Sequence, residues 1–342
     1  MEKALSLRLT QFAKPLGAVV AAFALGALFI GLIGQNPLEI YEKMLMRTLG
    51  TGYGLGQILF RATPLVLTGL AVAIPYQAGL FNIGGEGQAL LGTFFCALVG
   101  AALSPQMPSW LTVTICLVTA AAVGGAWGAL AGVLRARFGI NEVISTIMLN
   151  FIALALVSYW LTQVAVPGTV RTAQIASSAY LPPLSFLEPT AKSPLNSAIF
   201  LSLLIAVLTH LLLTRSRFGY ELRAVGLNTD AAKYAGIRTE FHILMSMTLG
   251  GICAGLVAAN YVLGYRHYYE AQGISGVGFL GIAVAMLANA NPLGILLSSL
   301  LFGLLDYGGL TINADVPKEI FLILQAAVIL FILGTRAPTK SS

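Results

Sequence analysis

Ten apolar runs, several of them about twenty residues long, leave this chain one class of fold. They cover residues 16–34, 54–74, 83–103, 111–134, 142–162, 195–214, 243–263, 277–290, 293–305 and 320–334. A helix needs about 20 apolar residues to cross a bilayer core. Lipid offers no partners to free backbone N–H and C=O groups, so a crossing segment is a helix or part of a closed barrel. These runs are long and do not alternate with polar residues, which reads as helix. Charged residues make up only 9% of the 342, against roughly 25% in a soluble domain, too few to cover a water-facing surface. The expectation is an all-α polytopic membrane protein of about ten transmembrane or half-spanning helices, a single domain over residues 1–342. The first run is too long for the apolar region of a secretion signal, and no polar cleavage segment follows it. The eighth and ninth runs are short and are parted by Asn289, Asn291 and Pro292. They read as a hairpin of half-length helices, which is tolerated only where protein or a water-filled path surrounds it.

Lys and Arg placement sets the orientation. With a cytoplasmic N-terminus and ten crossings, the inner segments hold twelve basic residues: Lys3, Arg8, Lys14, Arg135, Arg137, Arg215, Arg217, Arg223, Lys233, Arg238, Arg336 and Lys340. The outer segments hold six: Lys43, Arg47, Arg171, Lys192, Arg266 and Lys318. Arg61 lies within a span. Both termini are therefore expected in the cytoplasm. The net charge of +6 is topological, so it does not argue for a nucleic-acid partner. A long loop at 163–194 falls outside. A charged loop at 215–240 falls inside, and its centre carries helix signals: Asn228 or Thr229 as N-cap, Asp230 in the first turn, and Gly236 as a stop. A short surface helix of this kind suits docking by another protein.

Signatures of chemistry are missing from the sequence. Gly276, Gly278 and Gly281 have the spacing of a dinucleotide fingerprint but follow no strand, and no phosphate loop of the GxxxxGK[ST] type exists. His210, His242 and His267 are scattered. Cys96, Cys116 and Cys253 sit inside apolar runs at no metal-ligand spacing. Neither a cofactor nor a metal is expected. Gly124, Gly128 and Gly132 form one small helix face, and Gly251 and Gly255 another, as close helix packing in a membrane requires.

The stretch FNIGGEGQ, residues 81–88, sets Asn82, Glu86 and Gln88 among three glycines between apolar runs. An acidic side chain at mid-membrane costs about 2.5–3.5 kcal/mol on insertion scales. The glycines permit close backbone approach. The stretch reads as a chain reversal or helix break with its polar atoms satisfied internally. Glu142 lies at a helix start, where a carboxylate favours the dipole. A faint echo links GLAVAI then IGGEG (69–74, 83–87) to GLVAAN then ISGVG (255–260, 274–278).

Four stretches in order, GLFNIGGEGQALLGTFF (79–95), ARFGINEVISTIMLNFIA (136–153), LRAVGLNTDAAKYAGI (222–237) and GISGVGFLGIAVAMLANANPLG (273–294), resemble permease subunits of bacterial ABC importers. The branch is the simple-sugar and branched-chain amino acid type, with nucleoside permeases the nearest in pattern. The resemblance covers the chain from about residue 57 onward. It implies a second homologous permease subunit, a cytoplasmic ABC ATPase carrying the nucleotide sites, an extracytoplasmic substrate-binding protein, a place in the bacterial cytoplasmic membrane, and transport by alternating access. It also implies that 222–237 is the segment docked on the ATPase, through Arg223, Ala224, Gly226, Asn228, Ala231, Ala232 and Gly236. A neutral, many-hydroxyl substrate calls for amides, hydroxyls and aromatic faces along its path. Asn82, Glu86, Gln88, Asn150 and Tyr261 are the candidates, each equally suited to an internal helix-to-helix bond. Three alternatives remain: the same machine carrying ribose, another simple sugar or an amino acid; an ion-coupled transporter using Glu86 or Glu142; and a membrane-embedded enzyme, disfavoured by the lack of any nucleophile–base or metal constellation. The second is disfavoured by the charged inner loop and by the expected lack of a charge pair in mid-span.

Overall fold

The computed structural model describes residues 17, 19–184, 193–317 and 319–334. Each of the ten apolar runs contains a helix, and the described residues include no strand beyond two isolated bridges, Arg171 with Glu270 and Pro183 with Asn196. Seven helices are long and apolar enough to cross a membrane, or eight if a bent pair is counted as one. Two shorter apolar helices, Val277–Leu287 and Glu319–Phe331, stand beside them.

The bent pair is α1 (Val19–Leu32) and α2 (Pro37–Leu49), which meet at 116°. Gly34 turns the chain at φ +83°. Asn36 then caps α2 by accepting from the Leu38 N–H, with Pro37 at the first helical position, where a missing N–H costs nothing. Ile40, Met44 and Thr48 form the buried stripe of α2, an amphipathic helix where only an outer loop was expected.

Helix α3 (Gly52–Gln77) is the axis of the bundle, and 89% of its most apolar window is buried. It carries two internal prolines, Pro64 and Pro75. Each removes the N–H that would bond the carbonyl four residues earlier. Both freed carbonyls are met by asparagine side chains: Asn260 Nδ2 donates to Phe60 O at 3.2 Å, and Asn82 Nδ2 to Ala71 O at 3.0 Å.

Around α3 stand α4 (Gly85–Ala102), α5 (Ser109–Phe138), α6 (Glu142–Val164) and α7 (Ala198–Arg215), then two short helices α8 (Arg217–Leu227) and α9 (Thr229–Tyr234), then α10 (Thr239–Gly255). A π-helical stretch, Ala259–Arg266, prolongs α10. The series ends with α11 (Val277–Leu287), α12 (Pro292–Thr311) and α13 (Glu319–Gly334). The expected hairpin of half-length helices is corrected in one arm. Helix α11 has 11 residues, but α12 has 20 and is long enough to cross. Asn289 and Ala290, at φ +52° and +54°, make the turn between them, and Asn291 caps α12.

The two small faces meet each other. A Cβ at Gly124 would lie 2.4 Å from Gly251 O, one at Gly128 2.4 Å from Met247 O, one at Gly132 3.1 Å from Leu244 Cα, and one at Gly255 2.1 Å from Ala120 O. Helices α5 and α10 are thus in backbone contact over three turns. The described part of the 163–194 loop is folded down rather than free. Thr172 N donates to Tyr269 O, Ile175 N to His267 O and Leu181 N to Leu263 O, each at 2.9 Å.

Candidate functional site

FNIGGEGQ does break the membrane structure. Helix α3 ends at Gln77, Gly79 turns at φ +74°, and α4 begins only at Gly85. The second half of the echo lies directly against it. Glu86 Oε1 accepts from the Gly276 N–H at 2.6 Å and Oε2 from the Gly278 N–H at 2.7 Å, so one carboxylate caps the N-terminus of α11 while lying in the first turn of α4. A Cβ on Gly278 would lie 2.2 Å from Glu86 N, so only glycine allows this approach. On the ten-crossing count the two stretches belong at opposite membrane faces. In the structure the two stretches are in direct contact. An α11 of 11 residues spans about 16 Å at 1.5 Å per residue, half of a core about 30 Å thick. Two helix N-termini, those of α4 and α11, offset the cost of burying the carboxylate.

The candidate path amides turn inward as well. Asn82 is fully buried and uses all four of its hydrogen-bonding positions. Nδ2 donates to Ala71 O and Gln88 Oε1, and Oδ1 accepts from Gly84 N and Gln88 Nε2. Asn150 of α6 accepts from Gly87 N at 2.8 Å and donates to Ile83 O at 2.9 Å. Thr146 Oγ1 accepts from Ile83 N at 3.3 Å. These side chains stand in for the backbone ladder that the break removes, and their geometry is that of internal bonds. Glu142 has a different partner again. Asn141 is the cap of α6, accepting from Val143 N and Ile144 N, and Glu142 pairs with Arg135 of α5 at 3.3 Å.

Tyr261 lies elsewhere, among aromatic rings on the π-helical stretch. Phe60 stands edge-on to Tyr261 and to Tyr265, with centroids 5.8 and 5.0 Å away. Next to Phe60, Arg61 of α3 forms an ion pair with Asp306 of α12, and the Arg61 guanidinium lies 5.8 Å over the Tyr307 ring. A charge pair within the spans was expected to be missing; this one corrects that expectation. Its acidic member lies just beyond the ninth apolar run, which α12 extends. Sequence reasoning also missed Asn260, although a proline inside an apolar helix signals a carbonyl in want of a donor. Among the described residues no group of His, Cys, Asp or Glu is placed to hold a metal ion.

The charged loop forms α8 and α9. Asn228 is the N-cap of α9, its Oδ1 accepting from Ala231 N at 3.0 Å. Gly236 ends the helix at φ +82°, with Gly236 N bonded to Lys233 O and Ile237 N to Ala232 O. Leu222, Val225 and Ala232 are buried and fasten both helices to the bundle, while Leu227 and Tyr234 project, 88% and 94% exposed. Arg223 donates to Leu213 O at the end of α7. Ala224 carries the last bond of α8, its carbonyl accepting from Asn228 N at 3.2 Å. Gly226 lies on the end of α3, where a Cβ would come 2.2 Å from Gln77 O and 2.9 Å from Gly79 N. Glu221 ties α8 to α10, with Oε1 2.6 Å from Arg217 Nε and Oε2 3.0 Å from His242 Nε2. The hydrogen bond from Arg217 holds the Glu221 carboxyl below its ordinary pKa.

Comparison with known proteins gives this arrangement its context. The chain is 38% identical to the guanosine ABC transporter permease of Bacillus subtilis, over 96% of this chain and 95% of that one. It is 36% identical to a nucleoside ABC transporter permease of Lactococcus lactis, over 93% and 89%. It is 35% identical to a glucose ABC transporter permease of Haloferax volcanii, over 94% and 87%. Residues 54–333 match the family model for the permease component of branched-chain amino acid transport systems. With nearly its whole helical bundle inside that match, the chain belongs to this family of ABC transporter permeases.

Proposed function

We propose that this chain is one of two membrane subunits of an ATP-driven nucleoside importer in the cytoplasmic membrane, with both termini and the 215–240 loop on the cytoplasmic side and the 163–194 loop outside. It is a single membrane-embedded unit and does no chemistry of its own. A separate ATPase hydrolyses ATP, and an extracytoplasmic binding protein delivers the substrate. The observation that carries this reading is the exposed, capped helix α9. A short helix with projecting Tyr234, preceded by the equally exposed Leu227 at the end of α8 and fastened to the bundle by Ala232, suits a cleft in another protein better than it suits water. Arg223, Ala224, Gly226, Asn228, Ala231, Ala232 and Gly236 form this coupling element. Pairing with a second permease subunit is supported by Arg61 and Asp306, whose side chains are 26% and 34% exposed. Charges within a span face protein or water rather than lipid. Asn82, Glu86, Gln88 and Asn150 act as the internal frame of the path, and Tyr261 stays as the member of the candidate set that faces an aromatic surface. Nucleoside cargo follows the guanosine and nucleoside permease relatives. The glucose relative favours a second reading, the same machine with a sugar as cargo.

The test is uptake by proteoliposomes that hold the permease pair and the ATPase, supplied with loaded delivery protein. Nucleoside should accumulate only with ATP and should be indifferent to ionophores. Gly226→Leu drives a side chain into the end of α3, and any residue at Gly236 meets an unfavourable φ. The double variant should insert normally and transport nothing. Normal transport by it would sink the docking assignment, and accumulation of sugar but not nucleoside would sink the cargo.

A further inference from the structure

The Arg61–Asp306 pair does more than a structural ion pair requires. Arg61 lies nine residues into α3 and Asp306 five residues before the end of α12, about 13 and 8 Å along their helices at 1.5 Å per residue. Both fall within a core about 30 Å thick. Charges there cost several kcal/mol each unless they pair or face a water-filled cavity, and this pair also keeps an open face on both side chains. A guanidinium has five N–H groups. Here Nη1 bonds Asp306, while the buried Nε has no hydrogen-bond partner among the described residues. Flat rings surround the pair. Phe60 is edge-on to Tyr261 and Tyr265, and Tyr307 lies under the guanidinium and edge-on to Tyr53 at 6.4 Å. The group opens outward. Tyr53 and Tyr265 also line a cavity of about 450 Å³ beneath the outer loop, with Gln57, Tyr180 and His267 among its walls.

A planar heterocycle fits between such rings. A donor (Arg61) beside an acceptor (Asp306) matches a base edge that presents an acceptor beside a donor. The 6-oxopurines carry that edge: O6 accepts and N1–H donates. Adenine presents the reverse, an N6 donor beside the N1 acceptor, and mismatches both groups when its ribose is held in the same orientation as guanosine's. We infer that Arg61 and Asp306 read the base of the transported nucleoside in the translocation path and select 6-oxopurine nucleosides, guanosine and inosine, over adenosine. The inference rests on the nucleoside reading above. When no substrate is present the two side chains satisfy each other, and a bound base exchanges part of their mutual contact for its own.

The experiment is equilibrium binding of tritiated guanosine to the assembled permease–ATPase complex in nanodiscs, without delivery protein, with inosine, adenosine, ribose and glucose as competitors. Omitting the delivery protein removes its own selectivity from the result. Guanosine and inosine should compete at least about tenfold better than adenosine, since hydrogen bonds to charged groups are each worth about 1.5–3 kcal/mol. Asp306→Asn and Arg61→Gln should each erase that preference. The exchange Arg61→Asp with Asp306→Arg restores an ion pair and should not restore the preference. Equal competition by adenosine in the wild type overturns this inference alone. So does an unchanged preference in any of these variants that assembles. Competition by glucose or ribose but not by inosine overturns the nucleoside reading with it.

Discussion

Glu86 offers the sharpest energetic test. Its two carboxylate oxygens accept two backbone N–H groups, at 2.6 and 2.7 Å, and neither donor has another acceptor in the helix it opens. Hydrogen bonds to a charged group contribute about 1.5–3 kcal/mol each. Glu86→Ala removes both and orphans two N–H groups near the bundle centre, so its cost is about 3–6 kcal/mol. Glu86→Gln preserves shape but keeps one acceptor. The other position becomes an NH₂ facing an N–H, donor against donor, for a loss of about 2–4 kcal/mol. At about 2 °C of melting temperature per kcal/mol for a large chain, the glutamine variant should melt about 4–8 °C lower. Glu86→Asp separates charge from reach. It keeps the negative charge near both helix N-termini but is shorter by one carbon–carbon bond, about 1.5 Å, so both hydrogen bonds break. If contact matters, aspartate behaves like alanine. If the dipoles alone matter, aspartate is almost silent. The assays are thermal unfolding in detergent or nanodiscs and hydrogen exchange at Gly276 and Gly278, which should lose protection in all three variants. A glutamine variant that melts with the wild type and keeps both amides protected would refute the argument.

Three further outcomes follow from the geometry. Gly255→Leu puts a side chain where Ala120 O already stands 2.1 Å from the first added carbon; α5 and α10 must separate, and the protein should fail to accumulate in the membrane, as read by quantitative blotting of membrane fractions. Asn228→Ala removes the cap of α9 and should cost about 1 kcal/mol of local helix stability, seen as faster proteolysis between α8 and α10 and weaker ATPase binding with the transmembrane bundle unchanged. For Glu221 the folded pKa is depressed below its ordinary 4.5 by the Arg217 hydrogen bond. The stabilisation it gives is therefore present above that value and lost as pH falls through the depressed one. Acid titration of local proteolysis around α8 should show this step in the wild type and none in Glu221→Gln.

Much of this was legible because lipid removes ambiguity. An apolar run of about twenty residues becomes a helix, and glycines at spacing four predict close packing wherever the helices fall. The cap and stop of α9 were also readable, since Asn228 and Gly236 act on their own backbone and need no tertiary partner. What the chain did not disclose was long-range. Asn82, Gln88 and Asn150 look like path residues in sequence because an amide in an apolar setting is conspicuous, whatever it bonds to. Only the fold shows that Asn82 answers the carbonyl freed by Pro75. Arg61 and Asp306 are 245 positions apart, and Asp306 falls past the end of the ninth apolar run, so no local pattern joins them. Helix α2 was hidden for the opposite reason, being too polar to register as a span and too short to stand out.

These placements bear on how the proposed coupling element can act. Gly226 of α8 lies on Gln77 O and Gly79 N, where α3 ends and the first break begins. Gln77 Nε2 in turn reaches Ala290 O at 3.4 Å, in the turn that closes α11. The surface on which an ATPase would push is thus in direct contact with the start of the first break and, through Gln77, linked to the turn that closes α11; the other ends of both elements meet at Glu86. A rigid helix there would spread the displacement along its length. A chain with two breaks sharing one carboxylate concentrates it instead where the fewest backbone hydrogen bonds must be exchanged. On this argument Gly226 and Glu86 belong to one mechanical unit. Their variants should be non-additive in ATP-driven uptake, whereas each should add independently to Asn228→Ala in ATPase binding.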